Sequence, residues 1–266
     1  MLVDKINAYL STTGKNLDQA LLDETGKLAA YAFQRQFGIR EERKTPAPYF
    51  SSIGKCIKKQ AYTLLGFEPN GKEIDSRSKM VFFMGDIVEL AVVQLCKVVD
   101  ASVTGTGFEQ ESSELWGMRG RPDGVANGTH VLEVKSMSSF SFKEFEKGQL
   151  DEGYRYQCNA AMESLKLSKT VIVALNKDAG VLAEMVIEKD PDIVEDIRHR
   201  LSVLGNATKE MLPDRPYGPD AKGILPWQCL YCEHWGTCWP GAEKVLVSGK
   251  YKLRAPKGVA DATTKK

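Results

Sequence analysis

Asp123, Glu133 and Lys135 have the types and spacing for metal-assisted hydrolysis of a phosphodiester. Gly120-Arg121-Pro122-Asp123-Gly124-Val125 is followed, after Asn127-Gly128, by Val131-Leu132-Glu133-Val134-Lys135-Ser136. Asn-Gly favours a two-residue hairpin turn, so Asp123 and Glu133 are expected on paired antiparallel strands. Residues two apart on a strand share a face, which puts Glu133 beside Lys135 and turns Leu132 and Val134 towards a core. Hard carboxylate oxygens hold Mg²⁺ or Mn²⁺, which lowers the pKa of a bound water. A lysine at such a centre orients or deprotonates that water, or stabilises developing negative charge. Alternating Glu and Lys also describes a solvent-facing strand, so the motif needs company.

The second constellation is C-x2-C-x5-C: Cys229, Cys232 and Cys238, among Trp227, Tyr231, Trp235 and Trp239. Thiolates at this spacing wrap a tetrahedral zinc or an iron–sulfur cluster. A fourth ligand must come from elsewhere, His234 nearby or Cys56 far upstream. Cys96 and Cys158 fall on apolar helix faces and read as small core residues. The tryptophans have the chemistry to stack on bases, but shielding the metal site from solvent is their expected job.

The elements that must position these groups follow from periodicity. Residues 16–37 have helical spacing, and a short helix is expected from Ser51 or Ser52 through Cys56 to Leu65, stopped by Gly66. A long helix from Ser76 to Val99 carries the stripe Val81, Met84, Val88, Ala91 and Leu95, with Gly85 and Glu89 on a neighbouring face. Glu89 is therefore a candidate third carboxylate. Residues 102–109, 113–118, 119–126 and 130–136 read as short strands, and 151–166 as a helix bearing Tyr154, Gln157 and Ala161 on one side. Strands at 169–175 and 181–187 and a helix from 191 to 211 complete an α/β pattern with a mixed central sheet.

The 266 residues have a net charge of +1 and 27% charged residues, which gives no global nucleic-acid footprint. Basic residues nevertheless cluster between Arg35 and Lys59, including Arg43, Lys55, Lys58 and Lys59, and again in the last nineteen positions. Such clusters suit phosphate contacts or simply a solvated surface and tail. No apolar run approaches the ~20 residues of a membrane span, and the N-terminus lacks the layout of a secretory signal. A cytoplasmic protein without a membrane partner is expected.

Gly85-x3-Glu89, Pro122-Asp123, Glu133-x-Lys135 and the helix with Tyr154 and Gln157 together resemble the PD-(D/E)XK nuclease superfamily in its RecB-like branch. The resemblance spans roughly residues 50–240 and implies a restriction-endonuclease-like core. It implies that Asp123, Glu133 and Glu89 hold Mg²⁺ or Mn²⁺, that Lys135 is catalytic, and that Gln157 supports the site or contacts DNA. Glu89 stands where many relatives have histidine, a variant similar to phage-type recombination exonucleases. Ala161 stands where many have tyrosine, and Tyr154 is its partial substitute. Iron–sulfur members, including the AddB type and CRISPR adaptation nucleases, place one cysteine before the nuclease motifs and three after them. That likeness implies a 4Fe–4S cluster on Cys56, Cys229, Cys232 and Cys238, with zinc the alternative, stapling the C-terminal segment to an early helix. The implied organisation is an N-terminal helical segment (1–45), a nuclease domain (46–245) and a flexible basic tail (246–266). The implied function is an exonuclease on single-stranded DNA or DNA ends in recombination, repair or phage DNA processing. A CRISPR trimming nuclease and a non-catalytic DNA-binding module are the alternatives. A homo-oligomer, or a recombination or CRISPR partner protein, fits either setting.

Overall fold

Runs of Val, Ile and Leu make residues 130–137 and 169–176 the centre of a sheet. The computed structural model describes residues 1–12, 15–38, 46–70, 76–105 and 113–256. In chain order the helices are α1 (Leu2–Leu10), α2 (Gln19–Phe37), α3 (Phe50–Ile53), α4 (Ile57–Leu64), α5 (Ser76–Val99), α6 (Ser139–Glu146), α7 (Glu152–Ser164), α8 (Pro191–Gly205), α9 (Trp227–Leu230) and α10 (Trp235–Cys238). The strands are β1 (Ser113–Leu115), β2 (Met118–Gly120), β3 (Gly124–Ala126), β4 (His130–Met137), β5 (Lys169–Asn176), β6 (Val181–Glu188), β7 (Ile224–Leu225), β8 (Glu243–Val247) and β9 (Lys250–Arg254). None of the described helices is long and apolar enough to cross a membrane.

The chain divides into two units, Met1–Gly54 with Asp75–Arg198, and Lys55–Ile74 with His199–Lys266. The expected division at 45 and 245 differs from this because α1, α2 and α3 pack with elements of the first unit, while α4 makes its contacts with the C-terminal segment.

The first unit is an α/β fold around the mixed sheet β3-β4-β5-β6. β4 and β5 run parallel, and both outer pairings are antiparallel. A parallel pair needs a crossover, here α6 and α7. Leu132, Val134, Val171 and Val173 pack on one face against Leu2, Val3 and Ile6 of α1 and Val92, Val93 and Cys96 of α5. The other face carries Glu133 and Lys135 towards α7. Asn127 (φ 55°) and Gly128 (φ 63°) make the β3–β4 turn with both residues left-handed, as the Asn-Gly pair predicts.

Three differences from the expected elements bear on the site. The expected strand 119–126 is two strands: β2 pairs with β1, and β3 with β4. Pro122 has no N–H to give a ladder, so the chain leaves one sheet and enters the next across Arg121–Asp123. Gly120 is packed so closely under the buried Phe50 ring that a Cβ there would overlap it. In α5, Val81 and Met84 are exposed, whereas Val88 and Leu95 pack on the core. This 24-residue helix changes partners: its first half meets α2 through Phe83, Ile87 and Leu90 against Leu28 and Ala32. The helix through Cys56 is broken, with Cys56 at the N-cap of α4 rather than inside a turn.

The second unit holds the sheet β7-β9-β8 over a core of Leu225, Cys229, Trp239, Leu253 and Ala255. The expected flexible tail from 246 is, as far as Pro256, ordered structure: β8 and β9 form a hairpin, and Leu253 is fully buried. Lys250 and Lys252 alternate with Tyr251 and Leu253, so the tail's basic residues share strands with apolar ones. Residues 257–266 lie outside the described residues. The helix expected over 191–211, α8, ends at Gly205.

Candidate active site

β4 presents Glu133 and Lys135 side by side, with their charged atoms 2.5 Å apart. Asp123 sits one residue before β3, in line with Glu133 by the strand register, and its Oδ2 accepts the Val134 N–H at 2.7 Å. Asp151 caps α7 by accepting from Gly153 N–H, and that helix delivers Gln157 to the same place. The Gln157 amide nitrogen donates to Glu133 Oε1 at 2.7 Å, and its oxygen accepts from Lys135 Nζ at 3.2 Å. The Lys135 ammonium lies 4.5 Å from the centre of the Tyr154 ring. Asp123 and Glu133 are buried, at 8% and 2% exposure.

Asp123, Glu133, Lys135 and Gln157 line a cleft of about 760 Å³ together with Glu89 of α5, whereas Tyr154 lines a neighbouring pocket with Asp151. One Glu89 carboxylate oxygen, Oε1, is buried with no hydrogen-bond partner. Burial raises the Glu89 carboxyl, and Glu133 raises it further against the pull of Arg121. Asp123 is held well above the ordinary carboxylate range by burial, with Glu133 and Glu89 adding to it and Lys135 opposing. Burial works against the Lys135 charge, but Glu133 and Asp123 outweigh it and raise the ammonium above the usual lysine range. Three carboxylates thus crowd one cation.

Arg35, Arg119 and Arg121 also line the cleft, with Tyr31 and Tyr49. In the sequence Arg35 stands only as one end of a basic cluster, and of the three arginines Arg121 alone has a local signal, beside Pro122-Asp123. Of the residues expected to contact DNA, Arg43 lies outside the described residues. Lys55, Lys58 and Lys59 belong to the second unit. Lys58 donates to the Pro213 carbonyl at 2.6 Å, and Lys59 pairs with Glu233 at 2.7 Å. Those contacts give both side chains local structural work.

In the second unit Cys56, Cys229, Cys232 and Cys238 line one cavity of about 30 Å³, closed by Tyr62, Trp235 and Trp239 among others. Burial raises the Cys56 thiol, and pushes that of Cys229 up to about 12 with the other three cysteines adding to it. His234 is not among the lining residues; it is buried against Tyr62, with Nε2 3.3 Å from Thr63 Oγ1. Trp235 and Trp239 line the cavity, but Trp227 points to solvent at 66% exposure. Cys96 and Cys158 are fully buried core residues.

Among the described residues, no three His, Cys, Asp or Glu side chains stand as a ready metal-holding group. Both donor sets nevertheless suit a metal. The unpartnered Glu89 oxygen and the mutual repulsion of three carboxylates are what a hard divalent cation relieves. Four thiols lining one cavity are a soft-metal donor set.

The geometry defines an α/β protein with a mixed sheet flanked by helices and a carboxylate–lysine cleft. No protein-family model matches the sequence, and no curated protein matches it. Similar solved structures include an alkaline exonuclease from Laribacter hongkongensis, at 14% identity over 60% of this chain and 87% of that one, TM-score 0.47. A structure named SSO0001 is 17% identical over 82% of this chain and 96% of its own, TM-score 0.47. A phage-related exonuclease from Haemophilus somnus 129PT is 12% identical over 72% and 86%, TM-score 0.34. At these scores the likeness is loose, and the chemistry has to be read from this chain's own residues.

Proposed function

We propose that the chain is a metal-dependent deoxyribonuclease that trims DNA from strand ends, in recombination, repair or phage DNA processing. The observation that carries this reading is the convergence of Asp123, Glu133, Glu89 and Lys135 on one open cleft, with an unpartnered carboxylate oxygen and three arginines along its lining. Mg²⁺ or Mn²⁺ held by Asp123, Glu133 and Glu89 would supply a nucleophilic water and neutralise a phosphate oxygen. The Val134 N–H fixes the Asp123 carboxylate, and Gln157 holds Glu133 and Lys135 in register by bonding both. Lys135, kept charged by its neighbours, stabilises the negative charge that builds on the phosphoryl oxygens. Arg119 and Arg121, with Arg35 held at the lining by its 2.5 Å pair to Asp86, set positive charge where the flanking phosphates would run.

The cysteine cavity has a separate role in this reading. Cys56, Cys229, Cys232 and Cys238 would hold a structural 4Fe–4S cluster, or zinc, tying α4 to the C-terminal hairpin segment. The cavity's four-thiol lining, with His234 turned to Thr63, supports the all-cysteine set. The colour and metal content of anaerobically purified protein decide between the two: brown protein with iron supports the cluster, and colourless protein with stoichiometric zinc replaces it.

The activity is tested with Mn²⁺ on end-labelled linear, end-blocked and circular DNA, single- and double-stranded. Linear DNA should be shortened, circular DNA should resist, and Lys135→Ala should slow cleavage by about 10²-fold or more. An inert wild type, or a variant that cuts equally well, would leave a non-catalytic DNA-binding module as the better description.

A further inference from the structure

The hairpin of the second unit carries a surface that the cleft chemistry does not use. α9 is so short that Trp227 and Tyr231, four residues apart, lie on one side of it, while Cys229 between them turns inward. Trp227 is 66% exposed, Tyr231 76%, and Tyr251 on β9 69%. All three rings line one groove of about 1060 Å³ together with Lys244, Lys250 and Lys252. None of these lysines is ion-paired among the described residues; Lys244 reaches only the Trp235 ring, at 5.9 Å. The one carboxylate in the lining, Asp220, accepts from the backbone N–H groups of Lys222 and Ile224 at 2.9 and 2.8 Å, and the Lys222 and Lys252 charges add a weaker pull on it.

β7 covers only Leu253 and Arg254 of β9, so Lys250–Lys252 form a bare strand edge beside the rings. Lysines commonly guard such edges against pairing with another chain. Guarding alone would be undermined by three exposed aromatic rings in the same groove as the lysines, since exposed apolar surface promotes association. Rings and cations without ion-pair partners lining one groove match a different ligand: a flexible polyanion whose bases are free to stack.

We propose that this groove binds single-stranded DNA, stacking bases on Trp227, Tyr231 and Tyr251 and setting phosphates against Lys244, Lys250 and Lys252. The choice of DNA over RNA rests on the nuclease reading; the binding itself needs neither the cleft nor a divalent cation. A strand held here would remain bound to the protein between cleavage events.

Fluorescence anisotropy of the full chain with labelled oligothymidylate, without divalent cation so that cleavage is off, tests it. Trp227→Ala with Tyr251→Ala should weaken binding by about tenfold for each ring removed. Lys250→Glu with Lys252→Glu should flatten the salt dependence of log affinity by about 0.7 for each lysine. The rings and lysines are solvent-facing, so melting temperatures should match the wild type; if Trp227→Ala melts early, Tyr251→Ala alone carries the measurement. Unchanged affinity in the folded aromatic variant overturns the proposal. So does poly-glutamate competing as well as DNA, which marks a protein-docking surface, or oligouridylate binding more tightly than oligothymidylate. An inert wild type that still binds through these rings would sink the nuclease reading and leave this one standing.

Discussion

The carboxylate cleft and the cysteine cavity both gather like residues, yet they are built on opposite terms. The cleft is open, near 760 Å³, and leaves charge in conflict: burial and the Glu133 charge raise the Glu89 and Asp123 carboxyls beside the Lys135 ammonium, and a Glu89 oxygen has no partner. The cavity is near 30 Å³, walled by Tyr62, Trp235 and Trp239, and burial raises the thiols of Cys56, Cys229 and Cys232. Frustrated charge facing solvent costs stability and is useful only when something from outside relieves it. A thiol pocket this small has no room for a substrate, which leaves it a role in the fold. Variants in the two places should therefore fail in opposite ways.

The largest effect is expected at Asp123. Asp123→Asn keeps an oxygen for the Val134 N–H but removes one of the crowded charges. Cleavage should fall by about 10²-fold or more, while the melting temperature without divalent cation should hold or rise. Adding Mn²⁺ should stabilise the wild type, by about 2.7 kcal/mol at a hundredfold excess over its dissociation constant, and do much less for the variant. A variant that melts well below the wild type would show that Asp123 is structural, erasing the contrast.

Cys56→Ser probes the other side. Cys56 is the N-cap of α4 and makes no side-chain capping bond. Serine is a preferred cap and is worth about 1 kcal/mol over a non-capping residue. If Cys56 only packs, the variant should melt at or above the wild-type temperature with its metal content unchanged. If Cys56 is a ligand, metal should be lost and stability should fall by more than about 2 kcal/mol despite the better cap. Thermal melts read beside metal analysis separate the two.

How much of this was legible beforehand depends on how local the determinants are. The Asn127-Gly128 turn and the two-residue strand period are local, so Glu133 and Lys135 on one face and Leu132 and Val134 on the other follow directly. Gln157 follows from helical spacing on α7. The cleft's arginines do not: Arg35 arrives from α2 and Arg119 from β2, and nothing local says which face meets the sheet. The α5 stripe misleads because one helix serves two partners in succession. α6 was readable from Ser138 as cap with Phe142 and Phe145 three apart, and α1 from Leu2, Val3 and Ile6. The basic tail concealed a hairpin because its lysines alternate with Tyr251 and Leu253, and net charge hides that period.

The smallest effect concerns a carboxylate that has partners, the counterpart of Glu89. Asp100 accepts from Lys5 Nζ at 2.6 Å and from both the backbone N–H and the hydroxyl of Ser102. The side-chain bond from Lys5 leads in holding its carboxyl down to about 2. A folded-state value below the unfolded one, about 3.9, means that ionised Asp100 favours the fold. That contribution is complete above about pH 4 and is lost as pH falls through 2. Asp100→Asn should therefore lower the melting temperature slightly at neutral pH, and the gap should close on acidification towards pH 2. Much of the Lys5 side chain faces water, so added salt should shrink the effect. A gap that persists at pH 2 would assign the loss to packing between α1 and the end of α5 rather than to the charge.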